Sequence, residues 1–396
     1  MNEGFVFMKK NIGSILLLFF LCCSCSSGDG MEDTEPSSQE PPVPKESILS
    51  DEEIEALGNA GVKQSFIENM VKAVSGQQYP NIHSILIVKD KELVFERYFP
   101  GEDQDWGFNL GRVNHTENTL HDVRSISKSV VAACVGIAID KGLIESVEQK
   151  IFDFFPEYNN FNIGLRSEIT IKDLLTMTPG MQWDETTIPY TNPANGEIQM
   201  TNSEDPVRFV LSVPIESQPG DVFVYNGGAT QLLAAIVANA SGMQVDQFAE
   251  EFLFTPLGIE NFVWHHYSKS GIPAAASGLR LRSRDLMKFG LLYHNKGIWE
   301  GDRVLSESWI EESFEKHIDK PNQTNGFFGY HFHIHPSFNS NGKTIDHVAA
   351  VGNGDQRIYF NEEDDLMVVF TAGNYNQYIP NNSLAVMKNF IYPSFL

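Results

Sequence analysis

Ser125-Ile126-Ser127-Lys128, followed by Ser129-Val130-Val131-Ala132-Ala133-Cys134-Val135-Gly136-Ile137-Ala138-Ile139, places a hydroxyl and an amine one helical turn apart at the head of an almost uncharged run. The run closes at Asp140-Lys141-Gly142. A helix that is apolar on every face is a buried one. Residues three apart share a helix face, so Ser125 and Lys128 are expected side by side near the N-terminus, where unpartnered backbone N–H groups favour negative charge. Burial disfavours an ammonium ion, and on that ground Lys128 is expected to have a lowered pKa and to act as a base for Ser125. The alternative is structural, with Ser125 a plain N-cap and Lys128 a surface side chain. Spacing alone does not separate the two, because about one or two S-x-x-K matches arise by chance in a chain this long. Ser313/Lys316 and Ser340/Lys343 are two such matches, and neither heads a comparable apolar run.

The 396 residues allow one large domain or two interleaved ones. Met8-Lys9-Lys10 and the short apolar run after Ile12 have the pattern of a secretory signal, too short to span a bilayer. That run leads into Leu21-Cys22-Cys23-Ser24-Cys25-Ser26, which resembles a bacterial lipoprotein cleavage site; Cys25 is the expected lipidated residue, with Cys23 the alternative. An ordinary cleaved signal peptide is the other reading. Residues 26–50 are rich in Ser, Glu and Pro and read as a tether holding residues 51–396 off a membrane. The expected location is therefore the cell envelope, lipid-anchored to a bacterial membrane. Three of the four cysteines fall in the signal segment, leaving Cys134 and no internal disulfide framework. The formal net charge of −24 repels polyanions and argues against a nucleic-acid partner.

Residues 65–74 have helical spacing, with Phe66, Met70, Val71 and Val74 as the apolar positions. Two strand-like runs, residues 84–88 and 93–99, flank Lys89-Asp90-Lys91-Glu92 in a hairpin pattern. Helical signals dominate from Ser125 to about His266, including residues 171–177, 206–213 and 230–240. Strand character returns at residues 329–334, 357–360 and 366–371, before a terminal helix over 384–390. The order predicts an α+β fold: one antiparallel sheet flanked by helices (about residues 51–124 and 275–396) with an inserted, mostly helical subdomain (about 125–274). Clefts between such parts commonly hold active sites.

Two further segments carry chemistry. In Asp221-Val222-Phe223-Val224-Tyr225-Asn226-Gly227-Gly228 a strand-like run gives way to a helix, and a phenol on that turn can relay a proton beside an amine; in isolation a half-buried core aromatic is the preferred reading of Tyr225. Ala349-Ala350-Val351-Gly352-Asn353-Gly354-Asp355-Gln356-Arg357 puts glycines at the head of a strand, where an edge N–H can meet an oxyanion, or where the chain merely turns. His331, His333 and His335 alternate along one strand face and could ligate a metal. With no Cys or carboxylate at matching spacing, a polar strand face is the preferred reading. No G-x-S-x-G occurs, which argues against a nucleophile elbow.

Taken in order, the Ser125–Lys128, Tyr225 and Gly352-to-Gln356 segments resemble the serine beta-lactamase-like family, in its class C beta-lactamase, esterase and 6-aminohexanoate-dimer hydrolase branch. Thr176-Met177-Thr178-Pro179-Gly180-Met181-Gln182-Trp183-Asp184, Ser277-Gly278-Leu279-Arg280-Leu281 and Asp285-Leu286-Met287-Lys288-Phe289-Gly290 extend the likeness, which covers about residues 80–396. The resemblance implies a beta-lactamase/transpeptidase-like fold and an acyl-enzyme hydrolase. Ser125 would attack a carbonyl and Lys128 and Tyr225 would handle its proton. The backbone N–H groups of Ser125 and Gln356 would form the oxyanion hole. Asn353, Gly354, Asp355 and Trp183 would contact substrate. Neither a metal nor a cofactor is required.

Two positions depart from the family pattern. Gly227 stands where a Tyr-x-Asn motif carries its amide, and Asn353 stands where beta-lactamases carry a lysine for the antibiotic's carboxylate. A lost charged contact of that kind costs several kcal/mol, on the order of 2–5. The expected substrate is therefore a small-molecule ester or amide rather than a beta-lactam. A D-amino-acid peptidase of penicillin-binding type, and a catalytically silent binding protein on the same fold, are the alternatives.

Overall fold

The computed structural model describes residues 47–395 apart from 321–325, 341 and 378–381. The signal segment with Cys25, and the tether up to residue 46, lie outside the described residues. The last four residues assigned to the tether belong to the folded body: Leu49 is buried, and Ser50 caps the first helix in a reciprocal capping box with Glu53.

Helices α1 (Asp51–Asn59) and α2 (Gln64–Ser75) lead into β1 (Ile82–Lys89) and β2 (Glu92–Tyr98), whose two-residue turn puts Asp90 and Lys91 at positive φ. The hairpin of β3 (Gly101–Asp105) and β4 (Phe108–Val113) and the short β5 (Leu120–Asp122) precede α3 (Ile126–Asp140). The helical stretch continues through α4 (Ile171–Leu175), α5 (Gly196–Thr201), α6 (Pro206–Ser212), α7 (Gly227–Ser241) and α8 (Val245–Ala249). Then come β6 (Val263–Trp264), β7 (Leu279–Arg282), α9 (Ser283–His294), the small hairpin β8 (Ile298–Trp299) and β9 (Asp302–Arg303), and α10 (Glu307–Phe314). The remaining strands are β10 (Ile318–Asp319), β11 (Phe327–Phe328), β12 (His333–Ser340), β13 (Lys343–Gly352), β14 (Gln356–Asn361) and β15 (Leu366–Ala372). Helices α11 (Asn382–Val386) and α12 (Tyr392–Ser394) close the chain.

The main sheet has eight strands in the order β10-β11-β12-β13-β14-β15-β1-β2, and every pairing in it is antiparallel. The early hairpin docks on the last strand, with Ile85 opposite Phe370 and Ile87 opposite Val368. This is the expected sheet, interrupted by helices. Alternate residues of β1 face opposite sides: Leu86 and Val88 join the core shared with α3 and α7, while Ile85 and Ile87 join a second core under α2 and the C-terminal helices. Both faces are covered, which is why Ile85 to Val88 of β1 read as an unbroken apolar run.

Two expectations shift. The buried stripe of α2 centres on Ile67, Met70, Val71 and Val74, with Phe66 only partly covered, because Ile67 occupies the position that faces the sheet. The strand expected over 329–334 begins at His333, since Gly329 and His331 form a turn that brings His331 to φ +60°. A second sheet, β5-β7-β6, was not anticipated; its strands are too short for a period to show.

Candidate active site

β5 ends at Asp122, and Arg124 then takes φ +50°, a left-handed conformation that side chains rarely adopt. The strained turn is fastened from three sides. The Arg124 guanidinium pairs with Asp122 at 2.9 Å, the Ser127 hydroxyl donates to the Arg124 carbonyl at 2.6 Å, and Leu279 N–H donates to Ser127 Oγ at 3.2 Å. Ser125 follows at the N-cap position of α3, yet its side chain makes no capping bond. Its oxygen accepts instead from Lys128 Nζ at 3.1 Å. The plain N-cap reading therefore fails at the side chain, and the surface-lysine reading fails too, because Lys128 is buried.

The Lys128 ammonium also donates to the Ala276 carbonyl at 2.9 Å and stands 3.8 Å from Glu185 Oε1. Its nitrogen lies 5.0 Å from the centre of the Tyr225 ring, and the phenol interacts with both Ser125 and Lys128. Tyr225 directly precedes α7, whose cap is Asn226, so the N-termini of two buried helices meet at the site.

The lowered pKa expected for Lys128 is not what its surroundings produce. Burial does pull it down, but Tyr225, Glu185 and Glu197 together outweigh burial, and the pKa of Lys128 rises above its ordinary value. Burial raises Tyr225, against the opposing charge of Lys128. Burial also pushes Glu185 up to about 7, with the Lys128 charge pulling the other way and Glu197 adding to the rise. Glu185 Oε2 accepts from Gly227 N–H at 2.6 Å and from the Trp183 indole N–H at 2.6 Å. Glu197 accepts from the Ser277 hydroxyl.

The two carboxylates escaped the sequence reading, although the glycine at 227 was a signal. A Cβ there would stand 2.9 Å from Glu185 Oε2 and 3.3 Å from Glu197 Oε2, so the missing side chain makes the space that the acids fill. Trp183, expected to contact substrate, does not line the site. It packs in the core and steers Glu185.

Ser125 opens onto two cavities of about 290 and 440 Å³, which share Tyr190, Asn353 and Asn376. Trp106, Ile198 and Glu197 wall the first, and Tyr225, Gly352, Gly354, Asp355 and Arg357 are among those walling the second. Asn353 is held by paired hydrogen bonds to Asn376. The Asp355 carboxylate, although at the wall, is spent on Ser383 and on the Arg357 guanidinium at 3.2 Å. Gln356 lines neither cavity: it is fully buried and its side-chain amide bonds to β15 at Ala372. Gly352 is the strand residue that closes on the nucleophile's turn, where a Cβ would lie 2.2 Å from the Val123 carbonyl. Nor do the three alternating histidines converge. His331 turns toward Thr230, and His333 Nδ1 lies 3.1 Å from Lys320 Nζ.

The beta-lactamase family profile matches residues 67–385. The chain belongs to the beta-lactamase family. Over 240 residues it is 27% identical to an Escherichia coli (strain K12) protein provisionally named D-alanyl-D-alanine carboxypeptidase, covering 57% of this chain and 54% of that one. It is 22% identical over 240 residues to the 6-aminohexanoate-dimer hydrolase of Paenarthrobacter ureafaciens, covering 58% and 56%. The chain thus spans about half the length of the curated relatives it matches. The crystal structure of a family VIII carboxylesterase superimposes with a TM-score of 0.63 at 15% identity, over 88% of this chain and 99% of that one. These likenesses place the fold in the beta-lactamase/transpeptidase class.

Proposed function

We propose that this beta-lactamase-family chain is a serine hydrolase that cleaves an ester or a small amide through an acyl-enzyme on Ser125. The observation that carries the reading is the Ser125 hydroxyl, which stands at a helix N-cap, caps nothing, and meets a buried amine at 3.1 Å where a cavity opens. In the first half-reaction Oγ bonds to the carbonyl carbon and its proton passes to the Lys128–Tyr225 pair. That proton then goes to the departing oxygen or nitrogen as its bond to carbon breaks. Water reverses the sequence and frees the acid. Ser125 N–H is one proposed oxyanion donor, and the backbone N–H of Gln356, opposite Gly352 in the β13–β14 pairing, is the second.

The wall composition bears on substrate choice. Glu197 lines the cavity beside Ser125 and disfavours a carboxylate there, while Trp106, Tyr190 and Ile198 offer an apolar surface to a neutral acyl or alcohol group. A D-alanyl peptidase activity is the second reading, favoured by the likeness to the Escherichia coli protein provisionally named D-alanyl-D-alanine carboxypeptidase, although Arg357 in the other cavity is already paired with Asp355 at 3.2 Å. A fluorophosphonate probe should label the wild-type chain and not Ser125→Ala. Equal labelling of the variant removes Ser125 from the mechanism, and an unlabelled wild type favours a silent binding protein. Short-chain nitrophenyl esters set against D-Ala-D-Ala peptides then separate the two enzymatic readings. Export and lipid anchoring at Cys25 complete the proposal: Cys25→Ser should move the chain from the membrane fraction to the soluble one.

A further inference from the structure

Away from the Ser125 cavities, four buried side chains from four segments turn toward one point. His83 comes from β1, Asp103 from β3, His115 from the loop after β4 and His121 from β5. One donor atom from each lies within 4.8 Å of all the others. His115 Nε2 is 3.3 Å, and His121 Nδ1 4.0 Å, from Asp103 Oδ2. Donor atoms around a tetrahedral zinc ion, with bonds near 2.0–2.1 Å, stand about 3.3–3.4 Å apart.

The outward nitrogens are already engaged. His83 Nε2 lies 3.1 Å from the Glu102 carbonyl, His115 Nδ1 2.9 Å from the Phe99 carbonyl, and His121 Nε2 3.4 Å from Thr371 Oγ1. Only an N–H can donate to a carbonyl, so the lone pairs of His83 Nδ1 and His115 Nε2 point inward. Two consequences follow that protein atoms alone leave unresolved. His83 Nδ1 and His121 Nδ1 have no hydrogen-bond partner although both residues are 0% exposed, and a buried polar atom left that way is costly. His115 Nε2 lies 3.3 Å from Asp103 Oδ2, a contact that a ring in its neutral form, donating at Nδ1 to Phe99, leaves without a proton. A cation at the centre relieves both.

The surroundings are shaped to the cluster. Asp103 Oδ1 accepts from Tyr375 O–H at 3.2 Å and Gln104 N–H at 2.8 Å, which leaves Oδ2 for the centre. Gly101 and Gly373 clamp the His83 ring so closely that a Cβ on either would come within 2.7 Å of a ring carbon. The neighbouring group of Asp105, Asp122 and His265 differs, because Arg280 and Arg124 already neutralise it.

We propose that His83, Asp103, His115 and His121 hold one zinc-type divalent ion in a closed structural site that ties β1, the β3–β4 hairpin and β5 together. Tyr375 links the site to the nucleophile's turn, since its hydroxyl meets Asp103 while its ring lies 5.0 Å from the Arg124 guanidinium.

The test is metal binding by the full chain, read without reference to hydrolysis. Protein stripped with dipicolinate and titrated with zinc chloride should take up one equivalent and melt at a higher temperature, and cobalt(II) in its place should show the visible bands of tetrahedral cobalt. His115→Ala and Asp103→Asn should lose stoichiometric uptake. Tyr375→Phe, which removes only a hydroxyl from Asp103, should weaken zinc by about 10- to 100-fold. A folded, stripped wild type that takes up no zinc overturns the proposal, whether or not the variants fold. Unchanged uptake by folded His115→Ala and Asp103→Asn overturns it as well.

Discussion

Lys128 Nζ stands 3.1 Å from Ser125 Oγ and 3.8 Å from Glu185 Oε1, so the ammonium lies between an anion and the nucleophile whose proton it is to take. A base must be neutral before it accepts a proton, and Glu185, raised to about 7, is the group able to receive the one Lys128 gives up. Below that value Glu185 is already protonated and the transfer is blocked; above it the carboxylate is open. The turnover rate should therefore climb through about pH 7. Glu185→Gln should remove that limb and lower the plateau, and an unmoved limb would assign it elsewhere. The same group carries a stability signature of fixed sign. Its native pKa exceeds the ordinary 4.5, so between 4.5 and about 7 the native state binds more protons than the unfolded one and loses stability as pH rises. Denaturant midpoints should show Glu185→Gln gaining on the wild type from pH 5 to pH 8. Tyr225→Phe should cut turnover by about 10²- to 10⁴-fold with the melting temperature nearly unchanged, which a full-rate variant would contradict.

Among the elements, β13 and the β5–α3 turn meet at one contact, the α-carbon of Gly352 against the Val123 carbonyl. Gly352→Ala would drive a Cβ to 2.2 Å from that oxygen and push the strand end off the nucleophile. A displacement of about 1 Å costs on the order of 10² in rate, so fluorophosphonate labelling should slow by about that factor while circular dichroism holds. Wild-type labelling would place the oxyanion donor away from this strand end. The sequence made α3 and the β1–β2 hairpin readable because each combines an apolar run with a local marker, Ser125 at a helix start and Asp90-Lys91 in a turn, whereas Tyr225 stands out only through the family resemblance. Glu185 and Glu197 were not readable, since their role depends on a gap at Gly227 that only packing closes. The four proposed metal ligands are spread over β1, β3, a loop and β5, with none of the close spacing by which such sites show themselves in a sequence. Gln356 enters the oxyanion hole through motif alignment alone, since one residue's place in a hairpin decides which way an N–H faces and composition carries no trace of that.

Over the whole molecule, the eight-stranded sheet divides the interior into two cores, and the candidate site belongs to one of them. Lys128, Tyr225 and Glu185 stand among elements that pack with α3 and α7, whereas α2 and the C-terminal helices cover the opposite face through Ile67, Met70, Ile391 and Tyr392. Interiors are packed closely enough that a missing methylene is felt locally, but a hydrogen-bonded sheet resists passing such a change through its plane. Ile67→Ala and Leu232→Ala remove similar volumes from fully buried positions on opposite sides, and each should cost about 2–5 kcal/mol in denaturant unfolding. Their effects on the site should differ. Leu232 lies in α7, the helix that presents Gly227 to Glu185, so its loss should slow fluorophosphonate labelling along with stability. Ile67→Ala should unfold at lower denaturant yet label at the wild-type rate wherever it is folded. If labelling slows in step with its lost stability, the sheet does not insulate the site, and the two cores act as one.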